Sequence, residues 1–212
     1  MKYLLLAPIL IMSIVIHEVA HAWQARREGD DTAERLGRIT LNPIPHLDPF
    51  GSVVLPALLI LSQSSMFFGW AKPVPVDPSN FRHLKAGDIR VSLAGIVSNL
   101  LLAVLFTLLG AALMAIGVNS VTVVGIMVCR LAILVNLMLA FFNLIPIPPL
   151  DGSHVVYQLL PPRLAEAYQQ VGRYGFLMIL ALVFLFRDAL LVLLAPVFAL
   201  SNAAFWFMRL WI

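Results

Sequence analysis

The chain has 212 residues, of which 61% are hydrophobic and only 12% are charged, and its mean hydropathy is +0.94. Soluble domains carry about twice this share of charged residues, so the composition excludes an ordinary soluble protein and is typical of an integral membrane protein. The formal net charge of +3 does not indicate a nucleic-acid-binding surface, and the single cysteine, Cys129, excludes an intramolecular disulfide and a cysteine-based zinc site.

A first membrane helix is predicted over residues 3–25, and it carries the pattern H-E-x-x-H near its end. Residues four apart share one face of a helix, so His17 and His21 can present two imidazoles to one metal ion. Glu18 directly follows the first imidazole and can accept a proton from a water molecule whose pKa zinc has lowered. The pattern ends an apolar run, residues 4–16, and this position predicts hydrolysis inside a membrane or at its edge.

An alternative interpretation of the amino terminus is a secretory signal peptide. Residues 1–2 would be its basic part, residues 3–16 its apolar part and residues 20–22 its cleavage site. The ionisable residues His17 and Glu18 fit such a signal poorly, and the remainder of the chain is as apolar as a membrane protein.

The polar segment after the first helix leads into irregular structure. Residues 37–42 alternate between apolar and polar side chains and predict a short strand, and residues 44–49 are a predicted loop. Residues 52–68 are apolar, but a length of about 17 residues is marginal for a membrane span. Three prolines exclude a regular helix over residues 70–78.

Four further apolar segments have the character of membrane helices. They are residues 91–116, 121–144, 174–186 and 190–208. A proline-rich break at residues 146–149 and a short helix over residues 155–160 separate the first pair from the second. The predicted fold class is an all-α polytopic membrane protein with about five membrane-spanning helices, a re-entrant segment and a small strand element.

Positive charge indicates the orientation of these helices, because Lys and Arg collect on the inner side of a membrane. With the amino terminus outside, Lys2, Arg130 and Arg187 lie outside or near that face. The other eleven of the 14 Lys and Arg residues then fall inside: Arg26, Arg27, Arg35, Arg38, Lys72, Arg82, Lys85, Arg90, Arg163, Arg173 and Arg209. Both flanks of residues 52–68 are then inside, so this segment is predicted to be re-entrant and to form a wall of the active site.

A catalytic zinc usually has three protein ligands, so a third residue is needed beside the two histidines. Asp151 follows an apolar span and a proline-rich bend, where an ionisable group is costly without a partner such as a metal ion. Aspartate is also a good N-cap, and Asp151 could begin the helix that follows it; the two roles are compatible. The histidines outside the motif are His46, His83 and His154.

The H-E-x-x-H pattern is joined by a longer motif at residues 143–152, which reads N-L-I-P-I-P-P-L-D-G. Together the two motifs resemble the site-2 protease family of intramembrane zinc metalloproteases. Residues 37–43, G-R-I-T-L-N-P, and residues 69–76, G-W-A-K-P-V-P-V, further resemble the compact bacterial branch of that family, which has no PDZ domain. The resemblance covers about residues 10–160.

The resemblance implies that His17, His21 and Asp151 bind one zinc ion per chain and that Glu18 is the catalytic base. It implies that Asn143 stabilises the oxyanion or holds the substrate backbone, where the residue pattern alone also allows a helix-terminal cap. The implied protein acts on transmembrane-protein substrates in the lipid bilayer of a bacterial inner membrane, with its active site toward the cytoplasm.

The resemblance also implies one membrane-embedded metalloprotease domain over residues 1–212. Its catalytic core would cover about residues 1–160, and a C-terminal helical hairpin would cover about residues 172–210. Residues 94–99 are similar to the family's G-P-x-x-N segment, with Ile96 in place of the proline. We expect close helix packing through small residues at that segment.

Three polar residues remain as candidates for positions close to the zinc without binding it. His46 and Asp48 precede the predicted re-entrant segment, and a hydrogen-bonded turn in the loop is the simpler expectation for both. His154 follows Asp151 by three residues and would share its helical face.

A non-proteolytic membrane protein, a transporter or a scaffold with a retained zinc site, is the alternative function. Glu18 argues against it, because a structural zinc needs no base and fills its fourth position with a protein ligand.

Overall fold

The computed structural model describes residues 2–54, 57–58, 61–62, 70–117 and 119–211, and within these ranges it consists of helices, turns and irregular segments. The α-helices of the described residues are α1 Lys2–Glu28, α2 Thr32–Arg35, α3 Leu84–Ile116, α4 Ser120–Asn143, α5 Asp151–Leu159, α6 Pro162–Gly172, α7 Gly175–Phe184, α8 Arg187–Leu193 and α9 Ala195–Arg209. Single 3₁₀ turns form at Ile44–His46 and Pro78–Asn80, and a π-helical turn forms at Pro49–Val54.

Three of these helices are long and apolar enough to cross a membrane, namely α1 from Leu5 onward, α3 and α4. The pair α7 and α8 passes the same test as one unit, but it is bent by 97°. The prediction of an all-helical integral membrane protein is therefore confirmed, and the prediction of five spans is not. At a rise of 1.5 Å per residue, α7 and α9 are only about 15 and 22 Å long, against about 30 Å of hydrocarbon.

The central unit is an antiparallel hairpin of α3 and α4, with α1 packed across it. Gly117 ends α3 with φ of +106°, a conformation that favours glycine, and the Asn119 side chain caps α4 through the N–H groups of Val121 and Thr122. A small side chain lets α1 approach α3 closely, because Ala25 is fully buried in a cluster with Phe81 and Val91. This unit fixes the relative positions of the polar side chains described below.

Charged residues hold together the ends of α1 and α3 that face the polar segment. Arg90 makes a bidentate ion pair with the buried Glu28, with N–O distances of 2.7 and 2.6 Å. Asp30, also buried, accepts hydrogen bonds from Thr32, from the Asp77 N–H and from Asn80. Burial alone would raise the pKa of Asp30, but these hydrogen bonds outweigh it and hold the pKa below its usual value. Asp30 thereby fixes the segment before α3 to the end of α1.

Helix α9 runs in the direction opposite to that predicted for the last helix. Met208, near its end, packs against Gly110 and Cys129, and Trp211 lines an apolar cavity together with Ala115. The carboxyl end of α9 therefore lies beside the α3–α4 turn, at the end of the hairpin far from the α1–α3 ion pair. The expectation that Arg209 shares a side with Arg26 is corrected, because the short α7 and the bend into α8 replace a simple hairpin.

Residues 37–42 form turns, so the small strand element is not confirmed. Gly37 has φ of +65°, and the Arg38 N–H donates to the Ala33 carbonyl, which closes the chain back onto α2. The Arg38 guanidinium donates to the Lys72 and Pro73 carbonyls. In a strand, backbone groups would form hydrogen bonds with a neighbouring strand, whereas these hydrogen bonds come from a side chain. The predicted re-entrant segment, residues 52–68, lies largely outside the described residues.

Candidate metal centre

Two helices bring the predicted metal-binding side chains together. His17 and His21 lie one turn apart on α1, with 3.0 Å between their Nε2 atoms. Asp151 is the first residue of α5, and its carboxylate oxygens lie 3.2 Å from His17 Nε2 and 3.4 Å from His21 Nε2. Both imidazoles are buried. The candidate ligand atoms all lie within 4.8 Å of one another.

The turn after α4 explains why Asp151 reaches the histidines. Gly152 packs so closely against the Leu144 carbonyl that a Cβ there would lie 2.2 Å from its oxygen. The chain therefore folds back on the end of α4 before α5 begins, which carries Asp151 toward α1. Further along α5, Gln158 donates a hydrogen bond of 2.7 Å to Asp88 on α3. Helix α5 is thus held at both ends.

The donor atoms fit a zinc ion. Two imidazole nitrogens and one carboxylate are a set that zinc takes in catalytic sites, where a fourth position stays open. Ligands bonded to a tetrahedral zinc at about 2.0–2.1 Å lie about 3.3 Å apart, close to the three separations in this group. Oδ2 of Asp151 is buried and has no hydrogen-bond partner among the described residues. A buried carboxylate oxygen needs a partner, and a metal ion would be one.

Both imidazoles are held through their other nitrogen, Nδ1. In His21 this nitrogen lies 2.7 Å from the Val91 carbonyl, which can only accept, so Nδ1 carries the proton and Nε2 has a free lone pair. In His17 the same nitrogen lies 2.6 Å from Oδ1 of Asn99. Second contacts of this kind orient histidine ligands and raise their basicity.

Gly95 on α3 allows this close approach of α1. A Cβ added at Gly95 would lie 2.5 Å from both His17 Cε1 and His21 Nε2. The expectation of close helix packing at residues 94–99 agrees with this contact, and the packing partner is the pair of imidazoles itself.

We expect Gly95→Ala to weaken zinc binding by at least about tenfold, because the added methyl displaces two candidate ligands in a closely packed interior. Chelator competition on purified protein measures this affinity. Gly125→Ala is the matched control, since a Cβ there meets only the flexible end of Leu113. Equal zinc affinity of Gly95→Ala and wild type would show that the two helices separate without disturbing the imidazoles.

Glu18 lies beside the metal-binding pair and is only partly buried. Its Oε2 atom accepts a hydrogen bond of 2.8 Å from the Val74 N–H, in the irregular segment of residues 70–77. This contact orients the carboxylate while its other oxygen remains available, as a proton acceptor requires.

The remaining candidates lie at different places. The Asn143 amide donates to the Leu139 carbonyl at the end of α4, and His46 is buried with Nε2 bonded to the Thr40 carbonyl. Asp48 accepts from the N–H groups of the π-helical turn, as a loop-capping residue does. His154 pairs with Asp88 at 3.6 Å, and this carboxylate raises the pKa of His154. None of these contacts joins the group formed by His17, His21 and Asp151.

The sequence analysis missed a set of polar side chains behind His17. Asn99 and Asn136 are fully buried, and Ser13 nearly so, in helices that are otherwise apolar. The resemblance to the family predicts only helix packing for the segment that contains Asn99, and it gives no role to Asn136. The available signal was the polar character of these side chains, because a polar group inside a membrane helix is costly unless it has a partner.

Comparison with known proteins agrees with this geometry. Residues 116–186 match the family model described as "Peptidase family M50". The chain is 41% identical to "Putative zinc metalloprotease YwhC" of Bacillus subtilis over 185 residues, which cover 86% of this chain and 80% of that protein. It is 32% identical to "Putative zinc metalloprotease Rip2" of Mycolicibacterium smegmatis over 177 residues, 82% of this chain but 64% of that longer protein.

A Rip2 protein of Mycobacterium tuberculosis is 31% identical over 172 residues, 81% of this chain and 63% of that protein. No solved structure matches the chain at a significant level. The identity to YwhC extends over most of both chains, and the resemblance to the site-2 proteases is confirmed. The chain belongs to peptidase family M50, the site-2 protease family, and is a zinc metalloprotease with membrane-spanning helices.

Proposed function

We propose that this chain is an intramembrane endopeptidase that hydrolyses peptide bonds within or near the transmembrane segments of membrane-protein substrates. One zinc ion per chain would be held by His17, His21 and Asp151. The convergence of these three side chains within helices of membrane-spanning length is the observation that carries the proposal.

The depth of the group supports cleavage inside the membrane. His17 precedes the end of α1 at Glu28 by 11 residues. At a rise of 1.5 Å per residue, this is about 16 Å of helix, roughly half of the hydrocarbon thickness. Soluble peptides would have to enter this depth, whereas a substrate helix in the bilayer is already there.

The roles of the residues follow from their positions. A zinc ion held by His17, His21 and Asp151 would supply a Lewis acid able to lower the pKa of water and to polarise a carbonyl group. Glu18 accepts the proton of the attacking water and returns it to the leaving amine, and the Val74 N–H keeps its carboxylate oriented. Asn143 donates an amide N–H to the developing oxyanion or to the unwound substrate backbone.

A substrate helix hides its peptide bonds in internal hydrogen bonds, so it must unwind before cleavage. Residues 70–77 are not helical, and the N–H groups of Trp70, Lys72 and Val74 donate to Gly51, His46 and Glu18. Such a fixed, non-helical segment next to the base offers an edge on which an unwound substrate can lie. The catalytic core would cover about residues 1–160, and residues after 172 would complete the membrane domain.

Cleavage by the full chain in lipid vesicles tests the proposal. A substrate with one transmembrane helix should be cut, a chelator should stop the reaction and added zinc should restore it. A helix-breaking residue near the cut should accelerate the reaction, because it lowers the cost of unwinding. A protein that keeps zinc but cuts no membrane substrate would favour the alternative, a transporter or scaffold.

The charge distribution supports an active site on the cytoplasmic side of a bacterial inner membrane. When Arg209 is counted on the other side, ten of the 14 Lys and Arg residues are still assigned to the side of the α1–α3 ion pair. The relatives named above come from bacteria.

We expect Arg35→Cys and Lys85→Cys, each in a Cys129→Ser background, to react with a membrane-impermeant thiol reagent only after the cells are opened. Both positions are exposed and belong to the positive side. Ser120→Cys, in the α3–α4 turn, is the control that should react in intact cells. Labelling of Arg35→Cys and Lys85→Cys from opposite sides would mean that residues 52–68 cross the membrane.

A further inference from the structure

A continuous line of hydrogen bonds runs from the backbone of α4 to the imidazole of His17. The Asn136 amide group donates to the Ala132 carbonyl at 2.9 Å and to the Ser13 hydroxyl at 3.0 Å. The Asn99 amide group donates to Oδ1 of Asn136 at 2.8 Å and, over a longer distance of 3.4 Å, to the Ser13 carbonyl. Oδ1 of Asn99 lies 2.6 Å from Nδ1 of His17. The line joins α4, α3 and α1 in a region closed to solvent.

The direction of this line is determined at its far end. The Ala132 carbonyl can only accept, so Asn136 must present its NH₂ group to it and its oxygen to Asn99. Asn99 must then present its own NH₂ group to Asn136 and its oxygen to His17. An oxygen facing Nδ1 of His17 requires a proton on that nitrogen, which leaves Nε2 with a free lone pair. The reverse orientation of either amide would place two like groups against each other.

We propose that Asn136 and Asn99 are positioning residues that select the metal-binding tautomer of His17, although Asn136 contacts neither His17 nor the metal. The inference rests on the proposed zinc site at His17, His21 and Asp151. His21 needs no such line, because the Val91 backbone carbonyl sets its tautomer directly. Without the line, His17 could carry its proton on Nε2, where no metal can bind.

His17 is held by a side-chain amide, whereas His21 is held by a backbone carbonyl. A side-chain amide can orient either way, so it needs further partners to fix it. Asn99 obtains its closest such partner from Asn136 on α4, and the Asn136 amide obtains its own from the helix backbone.

Zinc affinities of five variants, measured by chelator competition, test the proposal. Asn99→Leu should bind zinc about 10–100-fold more weakly, the range seen when a partner of a metal-binding histidine is lost. Asn136→Leu should lose about tenfold, because the Asn99 NH₂ group then keeps only its longer contact of 3.4 Å with the Ser13 carbonyl and is held less firmly away from His17. Thr107→Val is the matched control, since it removes a hydroxyl of α3 that bonds only within its helix, and it should bind normally.

Asn99→Asp, alone and combined with Asn136→Leu, separates the effect of side-chain orientation from the effect of packing. Asn99→Asp alone sets a carboxylate oxygen against the oxygen of Asn136, but combined with Asn136→Leu it offers His17 an acceptor in either orientation. The double variant should therefore bind zinc more tightly than Asn136→Leu and at least as tightly as Asn99→Asp. A double variant no tighter than Asn136→Leu, or an Asn136→Leu protein that binds like wild type, would overturn the proposal.

Nitrogen NMR of the metal-free wild-type protein, at a pH high enough for both imidazoles to be neutral, provides a test that needs no variant to fold. His17 should carry its proton on Nδ1, with His21 as the internal reference. A proton on Nε2 of His17 would overturn the proposal even if every variant were unfolded. These measurements do not involve cleavage, so a protein that follows them but cuts no peptide would contradict the proposed peptidase and leave the positioning role intact.

Discussion

Glu18→Gln is expected to reduce cleavage of a membrane substrate to about 1% of wild type or less, while zinc remains bound. Glutamine keeps the size of the side chain, and its oxygen can still accept the hydrogen bond from the Val74 N–H. It cannot accept a proton at neutral pH, and loss of a general base costs typically about 10²–10⁴-fold in rate. The rate of product formation, measured with zinc content and thermal unfolding on the same preparation, checks this expectation.

Glu166→Gln is the matched control, because Glu166 is exposed on α6 and takes no part in the candidate centre. It should cleave at the wild-type rate. Wild-type cleavage by Glu18→Gln would remove Glu18 as the base, and with it the central reason for assigning peptidase activity to the group at His17 and His21. Loss of zinc together with activity would instead give Glu18 a role in holding the metal-binding helix.

Asn143→Ala should reduce cleavage by about 10²–10³-fold if its amide donates to the oxyanion. One N–H of that amide donates to the Leu139 carbonyl in the structure, which orients the side chain at the end of α4. The other N–H is the donor offered to a substrate. Asn143→Asp keeps the shape but removes both donors, so it should lose about as much activity as Asn143→Ala.

A pair of substrates distinguishes the two roles given to Asn143. One is a membrane helix and the other is a soluble peptide of the same sequence around the cut. Equal loss with both substrates assigns Asn143 to the chemical step, and loss with the helical substrate alone assigns it to holding the unwound strand. Full activity of Asn143→Ala on both substrates would contradict both roles.

The close approach of the candidate metal-binding side chains is predictable in part from local spacing. Two histidines four residues apart on a helix must share a face, and the structure places them 3.0 Å apart at Nε2. Asp151 was found as a costly ionisable group at the end of a span. Asp151 lies close to the histidines because the chain turns back onto the end of α4 at Gly152. The residue pattern does not specify this turn by itself.

Other features depend on tertiary contacts that have no local signal. Apolar and polar side chains alternate over residues 37–42, as they do in a strand. In the structure, Gly37 turns the chain, and the Arg38 side chain donates hydrogen bonds to the carbonyls of residues 72 and 73. Likewise, hydropathy predicted a hairpin for the last two apolar segments, whereas packing of Met208 against Gly110 reverses the final helix. Apolar length limits which segments can span, but the packing of neighbours decides their direction.

The partners of the ligands were the least predictable part of the candidate site. Asn99 and Asn136 lie in different helices, and only the packing of α1, α3 and α4 joins them to His17. Their polar character inside apolar helices was visible in the sequence, whereas their hydrogen-bond partners were not.

Zinc content of the purified protein tests the central claim most directly. Elemental analysis should find one zinc per wild-type chain and almost none in His17→Ala, His21→Ala or Asp151→Ala, with His83→Ala, which lies outside the group, as the control. Each ligand removed from a set of three leaves two, too few for a stable catalytic zinc site. Full zinc occupancy in Asp151→Ala would contradict the account, because the metal would then be held elsewhere or by another residue.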